Sequence, residues 1–255
     1  MGALHEGHMA LVRQSLADGM YTVVSIFVNP TQFNNPDDLI KYPVDKENDL
    51  RMLAEVGCHM VYIPDENDVY PPGMDRSAYM HDLGDLAKVY EGYYRPGHFS
   101  GVAQVVHRLF EIVRPHRAYF GEKDIQQVAV VRKMVELARL NVEIMTVPTQ
   151  RSNLGLALSS RNRRLTEKMQ SEALIIYRSL LFARDNFKKM PVAQIADAVE
   201  SMFEKSPLEL EYFDIVDGDT FTPVEGYAGN ENRHIRAIIA AYAGDVRLID
   251  NMRLN

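Results

Sequence analysis

The first part of the chain alternates between helical spacing of apolar residues and short β-branched runs. Apolar residues recur at helical spacing from Leu4 to Leu16, and the run Tyr21–Val28, which Asn29-Pro30 ends, is typical of a buried strand. Further helices are predicted around Leu50–Val56, with Leu50, Leu53 and Val56 on one face and Gly57 as a stop, Val102–Val113 and Ile125–Arg139. The strands predicted after them are Met60–Ile63, Ala118–Phe120 and Glu143–Val147. Strands joined through amphipathic helices predict an α/β fold with a Rossmann-like, doubly wound parallel sheet.

The pattern changes after Pro148. A Ser/Asn/Arg-rich loop comes first, and it is followed by two amphipathic helices and three strand-like runs. The predicted elements are the loop Arg151–Arg164, the helices Thr166–Phe187 and Val192–Glu204, and the strands Leu208–Ile215, His234–Tyr242 and Val246–Asn251. Helices followed by strands indicate a smaller α+β domain with an antiparallel sheet, so we expect domains at residues 1–149 and 150–255.

Composition narrows the class of protein. The chain has 28 Lys and Arg against 35 Asp and Glu, for a net charge of −7. This acidic balance argues against a protein that coats nucleic acid or an anionic membrane. Its longest uncharged apolar stretch, around Met20–Val28, is far shorter than the roughly 20 residues of a membrane span. Cys58 is the single cysteine and has no internal disulfide partner, and no secretory signal pattern is visible. We therefore expect a cytoplasmic protein that binds neither nucleic acid nor membrane.

The first candidate site is the opening segment, Met1–His8 (MGALHEGH). His5 and His8 lie three residues apart at the start of a predicted helix, where both imidazoles can face the same way beside backbone N–H groups that favour an anion. Gly2 and Gly7 allow a ligand to approach the backbone. A phosphate fits this segment better than a zinc ion, because the zinc-hydrolase pattern separates its histidines by four positions. A simple surface feature is the alternative.

Two more segments combine cations with polar groups. In Gly121–Asp124, Lys123 can neutralise a phosphate, while Asp124 can hold a ribose hydroxyl or a magnesium-bound water; the alternative is a solvated helix start. Ser159–Asn162 (SSRN) offers hydroxyl donors and a guanidinium to a triphosphate, although such loops are common. The sequence contains neither a P-loop nor a Gly-x-Gly-x-x-Gly fingerprint.

Other polar residues carry weaker signals. Gln32 and Gln127 can fix hydroxyls and a carboxylate without adding charge, although isolated glutamines are usually surface residues. An acidic stretch is formed by Asp37, Asp38, Asp45, Glu47 and Asp49. We interpret it as a solvated helix face, with a metal contact, for which Asp49 is the candidate, as the alternative.

Taken together, these segments resemble the pantothenate synthetases, or pantoate–β-alanine ligases, of the nucleotidyltransferase superfamily. The resemblance rests on six blocks in family order: MGALHEGH (1–8), FVNPTQF (27–33), RPGHF (95–99), FGEKDIQQ (120–127), GLALSSRN (155–162) and RLIDN (247–251). They extend over nearly the whole chain. The first and fifth blocks are similar to the His-x-x-His signature and the mobile phosphate loop of the superfamily.

The resemblance implies an ATP- and Mg²⁺-dependent ligase. Pantoate attacks the α-phosphorus of ATP to give pantoyl adenylate and pyrophosphate, and β-alanine then displaces AMP. His8, His5 and Lys123 are the implied catalytic residues, with His8 as proton donor, and Gln32 and Gln127 would orient pantoate. The implied ATP-binding residues are Met1, Gly2, Ala3, Leu4, His5, Glu6, Gly7, His8, Gly121, Glu122, Lys123, Asp124, Gln150, Leu158, Ser159, Ser160 and Arg161. A homodimer meeting through the first domain, with the second domain as a lid, is also implied.

The chain departs from the family pattern at a few positions. Leu154 stands where Asp is usual, Gln150 where an apolar residue near the adenine is usual, and Val44 where Arg is usual. Family members also carry an upstream segment with the strand that delivers the His-x-x-His segment. Without that strand we expect a chain that is poorly stable or relies on a compensating segment, because the lost pairing is comparable with the roughly 5–15 kcal/mol that holds a domain together. We expect the upstream reading frame to encode a β-branched run ending in Pro-Thr.

Two other functions compete with this prediction. A nucleotidyltransferase would leave the nucleotide on its product, but the block Arg95–Phe99 and the pair Gln32 and Gln127 argue against it. A catalytically weak protein that retains affinity for ATP or pantoate is the second alternative. Products that contain AMP and pantothenate would distinguish the ligase from both.

Overall fold

The computed structural model of the chain describes residues 2–33, 39–40 and 42–255. The chain divides into two compact units. The first comprises Met1–Glu122 and Gln126–Pro148, and the second comprises Lys123–Ile125 and Thr149–Asn255. Of the residues singled out from the sequence, Met1, Asp37 and Asp38 lie outside the described residues.

Helices and parallel strands alternate up to Pro148, which confirms the α/β fold class. The helices are α1 (Glu6–Ala17), α2 (Lys46–Val56), α3 (Glu66–Val69), α4 (Glu91–Tyr94), α5 (His98–Val113) and α6 (Ile125–Leu137). The strands are β1 (Val23–Ser25), β2 (Met60–Tyr62), β3 (Arg117–Gly121) and β4 (Glu143–Val147). Within the described residues they form two parallel pairs, β1 with β2 and β3 with β4, rather than one continuous sheet. β1 is shorter than predicted because its partner supplies a three-residue register.

Local capping groups define both ends of helix α2. Its N-cap Asp45 accepts a hydrogen bond from the backbone N–H of Asn48, and it ends at Gly57, whose φ of 84° suits glycine. The predicted stop is therefore confirmed. The predicted inward face is wrong at Leu50, which is 42% exposed, and the solvated acidic face is wrong at Asp49, which is 1% exposed. Only Leu53 joins the core fully.

Two of the apolar clusters in the core of the first unit show how its helices pack. One surrounds β1, with Met9 and Val12 from α1 and Leu53 from α2. The other packs α5 against α6 and the β3–β4 pair, with Val102 and Met134 among its buried residues. Helices α1 and α5 thus bury apolar residues of their predicted stripes, such as Val12 and Val102.

The second unit is an α+β structure, as its sequence pattern predicted. Its helices are α7 (Glu167–Glu172), α8 (Leu174–Asn186) and α9 (Val192–Glu204), so the single helix expected over Thr166–Phe187 is interrupted at the buried Ala173. Its strands are β5 (Glu209–Asp217), β6 (Ile235–Ala243) and β7 (Val246–Arg253), antiparallel in the order β5-β6-β7. In the described part of the chain no helix has the length and apolar character needed to cross a membrane.

The contact between the buried His107 of α5 and the partly buried His81 predicts a pH-dependent stability of the first unit. His107 Nδ1 lies 3.0 Å from His81 Nε2, and Tyr79 and Glu111 flank the pair. Burial lowers the pKa of both imidazoles. As the pH falls from about 6.5, the unfolded chain therefore takes up protons before the folded chain does, and the free energy of unfolding decreases.

We expect His107→Gln to flatten this decline, because glutamine does not titrate. Urea unfolding at pH 7.5 and 5.5 measures the effect, with the exposed His116→Gln as the matched control. A His107→Gln protein that loses as much stability as the unaltered chain over this range would contradict the prediction.

Candidate active site

The two histidines of the opening segment cap helix α1 and fix each other's position. The Nδ1 atom of His5 accepts a hydrogen bond of 3.1 Å from the Gly7 N–H, and the Nδ1 atom of His8 accepts one of 3.3 Å from the His5 N–H. Their ring centroids lie 4.1 Å apart. Because a neutral imidazole that accepts at Nδ1 carries its proton on Nε2, both rings present an Nε2–H donor at the N-terminus of a 12-residue helix. This arrangement suits an anion.

Buried contacts hold the residues before the helix. The Leu4 N–H donates a 2.6 Å hydrogen bond to Asp49 Oδ1, and both residues are buried. Ala3 adopts a φ of 47°, a conformation uncommon for residues other than glycine. Glu6, by contrast, forms an exposed ion pair with Arg13. Asp49, the candidate metal ligand, therefore serves in this structure to position the His-x-x-His segment.

A second polar group gathers around the turn Pro30–Gln32. Asn29 is 2% exposed, and its Nδ2 donates to Gln32 Oε1 at 3.4 Å and to the Gly101 carbonyl at 3.2 Å. His98 Nδ1 lies 2.9 Å from the Gln32 carbonyl oxygen, which can only accept, so Nδ1 carries the proton. His98 Nε2 then accepts from Arg95 Nη1 at 3.0 Å. The structure thus fixes both the backbone and the side chain of Gln32.

Gln126, the neighbour of the candidate Gln127, is the buried glutamine of α6. Its Nε2 donates to the Leu86 and Val89 carbonyl oxygens, and its Oε1 accepts from the Glu91 N–H. Glu91 in turn lies 3.7 Å from Arg95 as an ion pair. Gln127 is partly exposed. The sequence reasoning missed Asn29, Arg95, His98 and Gln126 as individual residues, although all four fall in the blocks that carry the family resemblance.

Close backbone packing at Gly101 leads to a prediction about the Gln32 turn. A Cβ at this position would lie 2.4 Å from the Thr31 carbonyl oxygen and 2.8 Å from the Gln32 Cα. Gly101→Ala must therefore displace the turn, and we expect a loss of about 1–3 kcal/mol in stability. Urea unfolding tests this, with the exposed neighbour Ser100→Ala as control. A free energy of unfolding of Gly101→Ala equal to that of the unaltered chain would contradict it.

In the second unit, Lys123 lies in the short turn Glu122–Asp124 that follows β3, whose last residue is Gly121. The Lys123 side chain is 16% exposed, and its Nζ lies 3.4 Å from Asp124 Oδ1. The Lys123 carbonyl oxygen accepts a 2.9 Å hydrogen bond from Asn251 Nδ2 on β7. The strand–helix junction predicted from the sequence is therefore present, and a partner from the far end of the chain supports it.

The predicted phosphate loop is ordered by local hydrogen bonds. The Leu158 N–H donates to the Gln150 carbonyl, and Arg151 pairs with Ala157 in an antiparallel bridge. Ser159 caps the turn Ser160–Arg164 by accepting from the Arg161 N–H, and Ser160 is buried. Leu154, at the tip of the loop, is 71% exposed, and Val44 in the first unit is 62% exposed.

The described residues do not form a preformed metal-binding site. Among the residues that the structure describes, no group of three or more His, Cys, Asp or Glu side chains has the arrangement to hold a metal. The Oδ1 atom of Asp49 already accepts from Leu4. Mg²⁺ that arrives with nucleotide phosphates needs only one or two protein carboxylates, so Asp49 as a metal ligand stays a prediction.

Comparison with known proteins identifies the family. The pantoate-beta-alanine ligase family model matches residues 1–253. The chain belongs to the pantoate–β-alanine ligase family. The pantothenate synthetase of Cytophaga hutchinsonii is 44% identical over 255 residues, covering 99% of this chain and 88% of that protein. The enzyme of Porphyromonas gingivalis is 46% identical over 254 residues, covering 99% and 89%. The family resemblance that the six blocks carry is therefore confirmed, and the chain is a ligase.

Solved structures of pantoate–β-alanine ligases agree with the fold. The pantothenate synthetase of Thermus thermophilus matches with a TM-score of 0.92 and 40% identity, covering 100% of this chain and 91% of that chain. The ligase of Francisella tularensis, solved with beta-gamma ATP and β-alanine, matches with a TM-score of 0.80 and 36% identity, covering 100% and 87%. These values confirm the fold class predicted from the sequence.

Proposed function

We propose that this chain condenses pantoate with β-alanine at the expense of ATP, through pantoyl adenylate. The observation that carries the proposal is the pair His5 and His8. Both Nδ1 atoms accept backbone N–H groups, so two Nε2–H donors stand at a helix N-terminus within a segment that matches the ligase family. Such a donor pair stabilises phosphate charge as it develops.

The first step needs alignment and charge neutralisation more than a base. A carboxylate is ionised at neutral pH, so its oxygen attacks the α-phosphorus directly, and the bond from this phosphorus to the bridging oxygen breaks. Pyrophosphate leaves with that bonding pair. His5 and His8 stabilise the charge that accumulates on the phosphate oxygens, with His8 as the proton donor.

The proposed ATP-binding residues fall in three segments of the chain. The backbone of residues 2–7 lines the nucleotide, together with Gly121 and Glu122. Lys123 neutralises the α-phosphate and Asp124 holds the ribose. The β- and γ-phosphates are held by Leu158, Ser159, Ser160 and Arg161, and Gln150 lies near the adenine. The buried Ser160 and the capped turn at Ser159 support a fixed geometry for this loop.

Gln32 and Gln127 orient pantoate. Support is stronger for Gln32, because Asn29 and His98 hold its side chain and its backbone. In the second step the amine nitrogen of β-alanine attacks the acyl carbon of the adenylate, the acyl–phosphate oxygen bond breaks, and AMP leaves with that electron pair. The amine must give up a proton to a base.

Mg²⁺, when bound together with the nucleotide, would supply charge screening of the phosphates. Asp49 is the candidate carboxylate, although its bond to Leu4 already gives it a positioning role.

Product analysis tests the function. Pyrophosphate release is measured with ATP and Mg²⁺, with and without pantoate, and the products are identified after addition of β-alanine. We expect release to require pantoate, and β-alanine to yield AMP and pantothenate in equal amounts. A stable adenylated product would favour a nucleotidyltransferase, and binding of ATP without turnover would favour a binding protein.

We also propose that the chain acts as a homodimer in the cytoplasm. The family resemblance and the numerous Met and Tyr residues, 13 of each, support an apolar contact surface. Light scattering that shows a monomer at micromolar concentration would contradict the proposed homodimer.

A further inference from the structure

Two adjacent residues near the end of β7, Asp250 and Asn251, form the centre of a buried polar network in the second unit. They are 5% and 4% exposed. The Asn251 N–H donates to Asp250 Oδ1 at 2.8 Å. Buried polar groups lower stability unless they are hydrogen-bonded, so the hydrogen-bond partners of these two residues show which segments the network positions.

The orientation of the Asn251 amide is fixed by its neighbours. Arg236 on β6 is 9% exposed, and its Nη1 donates a 2.7 Å hydrogen bond to Asn251 Oδ1. A guanidinium can only donate, so the oxygen of the amide must face Arg236 and the nitrogen must face the other way. That nitrogen donates to the Lys123 carbonyl oxygen at 2.9 Å. The contact joins residues that are 128 positions apart in the chain.

Asp250 adds charge at the same place. Its carboxylate accepts two hydrogen bonds from Arg151, at 2.5 Å from Nη1 and 3.0 Å from Nη2. Burial raises the pKa of Asp250, while Arg151 and, more weakly, the Lys123 ammonium act to lower it. The Lys123 turn and Arg151, at the start of the Arg151–Arg164 loop, therefore both form hydrogen bonds with the end of β7.

We propose that Asn251 is a positioning residue for Lys123 in adenylate formation. Its amide holds the Lys123 backbone in one conformation. The ammonium is therefore already placed for contact with the α-phosphate, and less conformational entropy is lost when the transition state forms. The inference rests on the proposed function, in which Lys123 neutralises that phosphate. It assigns to β7 a role in the first chemical step.

A double-mutant cycle tests the inference. Asn251→Asp keeps an acceptor for Arg236 but replaces the donor to the Lys123 carbonyl by a second acceptor. Lys123→Met keeps most of the volume of the lysine and removes its charge. We expect Asn251→Asp to slow single-turnover pyrophosphate release about 10- to 100-fold, with a much smaller change in the Kd for ATP. In the Lys123→Met protein the same substitution should have less than about a 3-fold effect, because the two residues act as one unit.

Controls separate positioning from a general loss of structure. Glu211→Gln breaks the 2.9 Å ion pair with Arg247 on the same sheet and leaves the Lys123 contact intact, so its pyrophosphate release should be unchanged. Thermal unfolding reports whether each variant folds. Asn251→Ser, which withdraws the amide without adding charge, replaces Asn251→Asp if that variant does not fold.

Three outcomes of the double-mutant cycle would overturn the positioning role. Full activity of Asn251→Asp, or an equal loss in the Lys123→Met background, would overturn the positioning role while the function of Lys123 stands. Full activity of Lys123→Met alone would remove its proposed function, and the positioning role with it.

Discussion

Replacing His8 by alanine is expected to slow adenylate formation about 100- to 1000-fold, the cost of removing one donor to charge that develops in a transition state. The Kd for ATP should change much less, because this charge is largest only as the phosphorus is attacked. Single-turnover pyrophosphate release and equilibrium ATP binding measure the two quantities. Equal losses in binding and in turnover would show that His8 only binds.

A matched variant distinguishes the chemistry of His8 from its structural role. His8 Nδ1 accepts the His5 N–H, so alanine also removes a helix cap. His8→Asn places an amide oxygen near the Nδ1 position and can keep the cap, but it has no group that corresponds to Nε2–H. We expect His8→Asn to be as slow as His8→Ala. Recovery of activity in His8→Asn would assign the histidine to capping rather than to chemistry.

Replacing Arg151 by alanine is expected to lower the free energy of unfolding by about 3–5 kcal/mol, since it leaves the carboxylate of Asp250 buried without its partner. Arg151 and Asp250 are 18% and 3% exposed, and Arg151 also lies over the Tyr177 ring at 4.7 Å. Urea unfolding of the whole chain measures the change. An effect below about 1 kcal/mol, the range of surface pairs, would contradict the prediction.

The pH dependence of that loss provides a second test. Burial already raises the pKa of Asp250, and removal of the guanidinium, the strongest of the groups that lower it, raises this pKa further above its unfolded value. A group of this kind contributes stability at low pH and loses it as the pH rises through the folded pKa. The difference between Arg151→Ala and the unaltered chain should therefore shrink from pH 7.5 to pH 5. Arg184→Ala, which removes an exposed ion pair with Asp185, serves as the control and should cost about 0–1 kcal/mol at both values.

Much of the fold follows from local sequence signals. The strand Glu143–Val147 and the helix Val192–Glu204 have the bounds that their apolar spacing predicted, and α2 stops at Gly57. These elements can be predicted because a helix with one buried face, or a buried strand, shows a regular spacing of apolar residues over a short stretch of sequence. The same reasoning fails at Leu50, since helical spacing alone does not tell which apolar residues a neighbouring element will cover.

By itself, the sequence determined the order of helices and strands, the antiparallel character of the last three strands, and the segments that carry the family resemblance. Only the tertiary structure decided which residues hold those segments. Asp49 reaches Leu4 over 45 positions, His98 reaches Gln32 over 66, and Asn251 reaches Lys123 over 128. The physical reason is that a hydrogen bond between such distant residues depends on how whole elements pack, and this leaves no period or spacing in the local sequence.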